Sequence, residues 1–136
     1  MCDKVGAMCV MKKSNLEDKL AATAALQSET DMLCRAWPRA LSERVYVANW
    51  NSTPFMCMPL LRIISRNESA DSVVRAHINT LASQGLCHDD LHWRHVACFE
   101  AMNGQPNIVF IDWARSSIDM DADAARSVML SSLDLE

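Results

Sequence analysis

Glycine and proline are scarce in this sequence, with 3 and 4 copies among 136 residues. Long flexible linkers are usually rich in these residues, so their scarcity argues against a chain of loosely tethered segments. Charged residues make up only 22% of the chain and hydrophobic residues 50%. This composition is typical of a packed globular protein and argues against disorder. The length suits one domain or two small lobes.

An excess of basic charge is also lacking, because the formal net charge is -4. A protein that holds nucleic acid by its phosphates usually carries a basic face, so we expect no nucleic-acid partner. No apolar run approaches the roughly 18 residues of a membrane span, and charged residues occupy the N-terminal segment where a signal peptide would be apolar. We therefore expect an intracellular, cytoplasmic protein, with a nuclear location as an alternative, and no membrane partner.

No two of the 6 cysteines form a CxxC pair, which argues against a redox motif or paired zinc ligands. In a reducing compartment these thiols are expected to be free. One short segment does concentrate zinc-compatible side chains, although their spacing matches no known zinc motif. A zinc-binding regulatory domain therefore stays as an alternative, with candidate ligands Cys87, His88, His92, His95 and Cys98.

The first half of the chain predicts a strand, a helix and two further strands. Met8–Lys13 is a short apolar run typical of a strand, and the capping-box pattern at Ser14–Glu17 predicts a helix that extends to Ala36. Alternating and apolar runs predict strands at Arg44–Trp50 and Phe55–Leu61. The apolar stripe of the helix is expected at Leu20, Ala24, Met32 and Ala36.

The second half predicts a helix, a loop, a hairpin and a final helix. The helix covers Ser69–Gln84, with Gly85 at its C-terminal cap. Asn103-Gly104 predicts a tight turn between two strands. The complete order indicates an α+β fold with a mainly antiparallel sheet in the first half. The polar segment Arg62–Asn67 suggests a boundary between two lobes, residues 1–66 and residues 67–136. The two strands of the hairpin are predicted at Val96–Glu100 and Asn107–Ile111, and the final helix at Asp121–Leu133.

One constellation of residues points to chemistry. The segment His88–His95 (HDDLHWRH) is followed by an apolar strand, a predicted hairpin turn, a second apolar strand and Asp112. Phosphoryl transfer requires a carboxylate near the acceptor hydroxyl, a second carboxylate that holds Mg²⁺, and cations on the phosphates. An aspartate in a loop and an aspartate at a strand end, joined by one hairpin, can supply the two carboxylates.

HDDLHWRHVA resembles the protein-kinase catalytic loop H-R-D-L-x-x-x-N, and IVFIDWA resembles the strand that leads into the D-F-G motif. The tryptophans make the segment similar to divergent Crinkler-type and fungal kinase-like domains. The resemblance implies that His88 supports the loop, that Asp90 is the catalytic aspartate and that Asp112 binds the metal. It also implies a minimal two-lobe kinase-like fold, with an antiparallel sheet plus helix in the small lobe and a truncated, mainly helical large lobe.

The first half extends the resemblance. CVMK, which ends at Lys12, resembles V-A-I-K of the third kinase strand, so Lys12 is expected to contact the α and β phosphates. Glu29 on the predicted helix is expected to form an ion pair with this lysine. The following strands place Met58–Leu61 at the hinge beside adenine, with Met58 and Leu60 as cofactor contacts.

The sequence also departs from the kinase pattern. Only Gly6 lies near the place of the glycine-rich loop, so the small lobe is expected to lack that loop. His95 stands where the catalytic loop has asparagine. It is the weaker candidate for a second metal ligand, because neutral imidazole suits hard Mg²⁺ less well than an oxygen does. Few residues follow Asp112, and a peptide-binding subdomain cannot fit there.

These patterns predict an ATP- and Mg²⁺-dependent phosphotransferase that transfers the γ-phosphoryl group to a hydroxyl of a protein or small molecule. The alternative is a pseudokinase or kinase fragment that acts as a protein-binding module. Lys12 and Glu29 can equally be solvated surface charges, and the two aspartates can be ordinary loop and strand-end carboxylates. Trp93 and Trp113 are expected to pack rather than contact substrate. Exposed apolar surface near residues 121–133 is expected to favour a homodimer or a partner protein.

Overall fold

The computed structural model describes residues 9–100 and 106–136, which form both helices and short strands. Within these ranges every strand pairing is antiparallel. The α+β class predicted from the sequence is confirmed. The chain divides into two compact units, the first ending at Leu60 and the second beginning at Leu61. No helix in the described ranges is both long enough and apolar enough to cross a membrane.

The first unit is a three-stranded sheet with helices. Its strand order is β1–β3–β2, so β3 is central. Asn51 and Ser52 form the tight turn between β2 and β3, and both have positive φ (49° and 64°), as a two-residue type I′ hairpin turn requires. The elements of this unit are β1 (Cys9–Lys13), α1 (Lys19–Ala36), α2 (Arg39–Ser42), β2 (Tyr46–Trp50) and β3 (Thr53–Pro59).

The start of α1 differs from the sequence prediction. Asp18, not Ser14, caps the helix, and its side chain accepts a hydrogen bond from the backbone N–H of Ala21. Ser14 instead accepts from the backbone N–H of Leu16 in the preceding turn. Serine and aspartate are both good capping residues, and the helix begins at Lys19, directly after the aspartate.

The predicted apolar stripe of α1 is correct at Met32 and Ala36, which are buried, and wrong at Leu20 and Ala24. Leu20 is 82% exposed and Ala24 is exposed, whereas the helix packs against β3 and β2 through a different face. The buried residues follow i, i+4, i+7 and i+11 spacing, which defines one helical face. One member is a carboxylate, so a search for apolar residues alone cannot find this face; its members include Ala22, Leu26, Glu29 and Leu33.

The second unit, expected to be mainly helical, contains two α-helices and five short strands in its described part. Its strands form a three-stranded sheet, β4–β6–β7, and a two-stranded sheet, β5–β8. Three of these strands have only two residues each, too few for periodicity to reveal. The elements are β4 (Arg62–Ile63), α3 (Glu68–Ser83), β5 (Cys87–His88), a 3₁₀ turn (Trp93–His95), β6 (Val96–Glu100), β7 (Pro106–Phe110), β8 (Ser116–Ser117) and α4 (Ala122–Ser132).

The strands β6 and β7 pair along their whole length, from Val96 opposite Phe110 to Glu100 opposite Pro106. The predicted turn at Asn103-Gly104 lies outside the described residues. Because β7 runs back along β6, the end of β7 lies next to the 3₁₀ turn that precedes β6. The backbone N–H of Ile111 donates to the carbonyl of His95 at 2.8 Å. The strand end before Asp112 is thereby fixed beside His95.

The helices α3 and α4 pack against each other and build the core of the second unit. Ile78 and Met129 are fully buried, whereas Val73 is 48% exposed. Gly85 follows α3 with φ of +76°, the left-handed conformation that favours glycine after a helix. Trp113 is buried as expected, and its indole N–H donates to the carbonyl of Phe110 at 2.7 Å.

Candidate functional site

In the first unit, Lys12 and Glu29 form a bidentate ion pair. Lys12 Nζ lies 2.9 Å from both carboxylate oxygens of Glu29. The Glu29 side chain is only 4% exposed and that of Lys12 31%. A carboxylate this deeply buried requires a cation or equivalent hydrogen bonds, so the lysine is held in place. The ion pair expected from the sequence is present, and Glu29 is not a solvated acid like the exposed Asp31.

The strand register places the lysine on a defined face of the sheet. Lys12 lies opposite Met56 on β3, and Val10 lies opposite Met58. Because side chains alternate between the two faces of a sheet, Lys12 shares its face with Met56 and Met58. Lys13 lies on the other face and is exposed. Lys12 and Met58 therefore line one surface of this unit.

Leu60, the other proposed adenine contact, lies in the described part of the chain, whereas the expected glycine-rich region does not. Leu60 directly follows β3 and is 57% exposed, whereas Met58 is buried. An exposed leucine at a strand end can contact a ligand without rearranging the core. Gly6, the only glycine near the expected phosphate-covering loop, lies outside the described residues.

In the second unit, His88 links the catalytic-loop candidate to the strand end before Asp112. The backbone N–H of Asp90 donates to His88 Nδ1 at 3.2 Å, and His88 Nε2 lies 2.8 Å from the carbonyl oxygen of Ile111. An amide N–H can only donate and a carbonyl can only accept, so Nδ1 is the acceptor and Nε2 carries the hydrogen. The ring is therefore neutral. Burial lowers the pKa of His88, which favours the same state.

His95 contacts the same two regions from another side. Its Nδ1 lies 2.9 Å from the carbonyl oxygen of Asp90, and its Nε2 lies 3.3 Å from Asp112 Oδ2. Its side chain is 7% exposed, and its ring stacks on that of His88 with centroids 5.6 Å apart. The structure thus connects Asp90 and Asp112, the two predicted carboxylates, through one buried imidazole.

Asp112 has an unusual backbone conformation. Its φ is +61°, in the left-handed region, and its side chain is 41% exposed. This conformation costs a residue other than glycine about 1 kcal/mol, although aspartate tolerates it better than most residues. The preceding residue is held at both its N–H and its carbonyl, by His95 and His88, and Trp113 is buried behind it. The fold therefore maintains the strained aspartate in a defined direction.

Asp90 carries a partner that the sequence analysis did not assign to the site. His92 Nε2 lies 3.0 Å from Asp90 Oδ1, and this hydrogen bond lowers the pKa of the Asp90 carboxyl. The Asp90 side chain is 35% exposed. The spacing Asp-Leu-His is the sequence signal for this contact, whereas the sequence patterns above place His92 only among the candidate zinc ligands. Neighbouring Asp89 has a different role and accepts from the hydroxyl of Ser117 at 2.6 Å.

The cysteines of the zinc alternative are poorly suited to metal binding. Burial, with a further contribution from Asp89, raises the pKa of Cys87 to about 12, whereas zinc ligation requires the thiolate. Cys98 Sγ is contacted by the guanidinium of Arg62 at 3.3 and 3.4 Å. Among residues 9–100 and 106–136, no three His, Cys, Asp or Glu groups are arranged to hold a metal ion.

A family described as a family of unknown function, DUF5898, has a model that matches residues 1–99. The chain belongs to the DUF5898 family. No curated protein matches it. The matched region of this DUF5898 protein includes both members of the ion pair and the whole catalytic-loop candidate, and it ends before Asp112.

The described side chains of the DUF5898 protein can perform three kinds of chemistry. Lys12, held by a buried carboxylate and partly exposed, can neutralise a phosphate. Asp112 offers a partly exposed carboxylate oxygen next to a nitrogen of His95, and these atom types fit a divalent cation. Asp90 offers a second partly exposed carboxylate that can accept a hydrogen bond from a hydroxyl group. Lys12 in the first unit therefore fits a phosphate group, and the carboxylates of the second unit fit a magnesium ion.

Proposed function

We propose that this DUF5898 protein is an ATP-dependent phosphotransferase with a minimal protein-kinase-like two-lobe fold. The observation that carries the proposal is the hydrogen-bonded system through which His88 and His95 tie the Asp90 loop to Asp112. Phosphoryl transfer depends on positioning and on charge neutralisation rather than on covalent chemistry by the protein, so a rigid pair of carboxylates suits it. The Lys12–Glu29 pair supports the proposal independently.

Each residue has a distinct role in the proposed reaction. Asp90 orients the acceptor hydroxyl and receives its proton. Because the pKa of this carboxyl is lowered, Asp90 is a weak base, and its main contribution is to orient the hydroxyl. Asp112 holds Mg²⁺, with His95 as the second candidate ligand. When bound, the ion neutralises charge on the β and γ phosphates. The bond between the γ-phosphorus and the bridging oxygen breaks, a bond to the acceptor oxygen forms, and ADP leaves.

The first unit supplies the remaining contacts in this proposal. Lys12, fixed by Glu29, neutralises the α and β phosphates, and Met58 and Leu60 contact adenine. The acceptor is a hydroxyl of a protein or a small molecule. Binding measurements on a variant of Lys12 and on a variant of Asp112 test the two contributions separately.

A non-catalytic protein-binding module is the second candidate function. Two observations favour it: an imidazole replaces the amide expected at the second metal ligand, and large apolar side chains of the first unit are exposed. Leu16, Leu20 and Trp50 are 52%, 82% and 57% exposed. Such side chains can form part of a protein interface when they lie together.

Nucleotide-dependent thermal stabilisation tests the proposal. At a ligand concentration of 100 times Kd, magnesium ATP should add about 2.7 kcal/mol to the free energy of unfolding. Asp112→Asn should abolish this gain, whereas Asp119→Asn should retain it. The two sites are matched, since Asp119 also has positive φ (55°) but lies apart from the candidate site residues in sequence. Equal gains in both variants would contradict the metal-binding role of Asp112.

Catalysis can be separated from binding with a second matched pair. Asp90→Asn should bind magnesium ATP as the wild type does but lose phosphoryl transfer to water or to a hydroxyl acceptor. Asp89→Asn alters the neighbouring carboxylate and should retain transfer, unless loss of its bond to Ser117 unfolds the loop, which thermal unfolding detects. Absence of any nucleotide effect in the folded wild type would instead favour the binding module.

A further inference from the structure

The helix α4 ends in a cap that orders the residues after it. The backbone N–H of Asp134 donates to the carbonyl of Ser131 at 3.2 Å. That of Leu135 donates to the carbonyl of Leu130 at 2.9 Å. With Asp134 in the left-handed conformation (φ 55°), these two bonds form a Schellman motif. The side chains of Leu133 and Leu135 are 1% and 0% exposed, so the chain after the helix is held in place.

The carbonyls beyond the end of α4 bind the 3₁₀ turn of the catalytic-loop candidate. The last carbonyls of a helix have no donor within it and require partners elsewhere. The indole N–H of Trp93 donates to the carbonyl of Leu133 at 3.1 Å. Arg66 donates from Nη2 to the carbonyl of Asp134 at 3.0 Å, and its guanidinium carbon lies 5.1 Å from the centre of the Trp93 ring. The indole is therefore held at its N–H and at one face of its ring.

Trp93 lies in the chain between the two histidines that contact Asp90. The backbone N–H of His95 closes the turn by donating to the carbonyl of His92 at 2.8 Å. His92 Nε2 lies 3.0 Å from Asp90 Oδ1, and His95 Nδ1 lies 2.9 Å from the carbonyl oxygen of Asp90. The turn thus contacts Asp90 at its side chain and at its backbone. A shift of Trp93 would disturb both contacts together.

From these contacts we infer that Trp93 is a positioning residue, which holds the 3₁₀ turn, and through it the Asp90 carboxylate, against the C-terminal cap of α4. The inference rests on the proposed function in that Asp90 orients the acceptor hydroxyl. Displacement of a catalytic group by about 1 Å can lower the rate about a hundredfold. The cap of α4 acts on the candidate site across 40 residues of sequence, through one indole N–H.

Hydrogen exchange measured amide by amide by NMR tests this role without requiring activity. Trp93→Phe keeps an aromatic ring but removes the indole N–H. The amides of His95 and Ile111, which are bonded within and beside the turn, should exchange at least about tenfold faster than in the wild type, because the turn opens locally. The amide of Met120, bonded elsewhere in the second unit, should keep its rate. A general loss of stability would accelerate all three amides, so the selectivity identifies positioning.

The kinetics of phosphoryl transfer give a second readout. Trp93→Phe should lower kcat by about tenfold or more, because the carboxylate that orients the acceptor is no longer fixed. The KM for ATP should stay within about twofold of the wild-type value, because nucleotide contacts are unchanged. Trp50→Phe is the control: Trp50 is 57% exposed in the first unit, and its replacement should alter neither kcat nor exchange at the turn.

A second pair of variants keeps the test decisive if Trp93→Phe does not fold. Arg66→Lys retains the charge but loses the planar guanidinium that lies over the indole ring, and it should produce the same selective exchange. Arg126→Lys is the matched control, because Arg126 bonds Asn79 of α3 and Asp123 of α4. It should leave exchange at the turn unchanged.

The outcomes separate the positioning role from the proposed function. Selective exchange together with a lower kcat supports both. Selective exchange in the variants of a protein whose wild type transfers no phosphoryl group keeps the coupling between cap and turn and removes the proposed function. Exchange that is unchanged, or faster at every amide alike, overturns the inference whatever the activity. An unchanged kcat despite selective exchange also overturns it, because the turn would then not control Asp90.

Discussion

A single buried residue, His88, joins two backbone segments that are distant in sequence. It accepts from the N–H of Asp90 and donates to the carbonyl of Ile111, and its side chain is fully buried. The sequence predicted its supporting role from a resemblance, but not the identity of its two partners. The Asp90 N–H is a local partner two residues away, but the Ile111 carbonyl reaches His88 only because β7 returns alongside β6, which is a tertiary feature.

Replacing His88 by phenylalanine should lower the free energy of unfolding by about 3 kcal/mol. The aromatic ring preserves most of the volume, but the two backbone groups lose their partner, and each unsatisfied buried group costs roughly 1–3 kcal/mol. Urea unfolding measures the change. His92→Phe is the control: its side chain is 44% exposed, so it should shift stability by less than about 0.5 kcal/mol. Equal effects of the two substitutions would contradict this role for His88.

At the scale of elements, α1 shows which part of a helix can be predicted from sequence. Its existence and its C-terminal end at Ala36 were predicted correctly, because helix formers continue until Pro38 stops them. Its cap and the N-terminal part of its buried face were not, because the apolar Leu20 lies outside that face and the charged Glu29 lies within it. A buried carboxylate is recognisable only once its cation, Lys12, is placed opposite it.

The corrected face predicts unequal effects of two leucine substitutions in α1. Leu26→Ala should cost about 2–4 kcal/mol, because the side chain is 2% exposed and its loss leaves a cavity. Leu20→Ala removes the same atoms from a side chain that is 82% exposed and should change stability by less than about 0.5 kcal/mol. Thermal or urea unfolding measures both. Similar losses would place Leu20 in a contact and return the helix to the face expected from the sequence.

The helix α3 should make the protein sensitive to acid. Burial lowers the pKa of His77 from 6.5 to about 4, and its Nε2 is buried without a hydrogen-bond partner in the described part of the structure. Between these values the unfolded chain binds more protons than the folded one. Stability is therefore complete above pH 6.5 and decreases by on the order of 3 kcal/mol as pH falls to 4.

His77→Leu tests this origin of the acid sensitivity. The substitution removes the titrating group and its unpaired nitrogen but keeps an apolar side chain against Phe110, whose ring lies 4.9 Å from that of His77. Urea unfolding at pH 7, 6, 5 and 4 should show a shallower decline in the variant than in the wild type. A residual decline is expected from His88, whose pKa is also lowered by burial. Identical pH profiles would assign the effect to other groups.

At the scale of the whole molecule, the order of the longer elements and the α+β class followed from periodicity and turn signals. The two-residue strands β4, β5 and β8 did not, because they form only where a partner strand lies beside them. The homodimer or partner protein stays a prediction. Val128 on α4 is 37% exposed, and larger apolar exposures occur in the first unit.

Nucleotide binding is the property on which the proposed function depends, and Lys12 and Asp112 are each expected to contribute to it. Isothermal titration with ATP and a divalent metal tests it in the wild type, Lys12→Met, Lys13→Met and Asp112→Asn. We expect one site per chain, with affinity reduced by at least about tenfold in Lys12→Met and Asp112→Asn and retained in Lys13→Met. A folded wild type that binds no nucleotide, or Lys12 and Asp112 variants that bind it as the wild type does, would contradict the account.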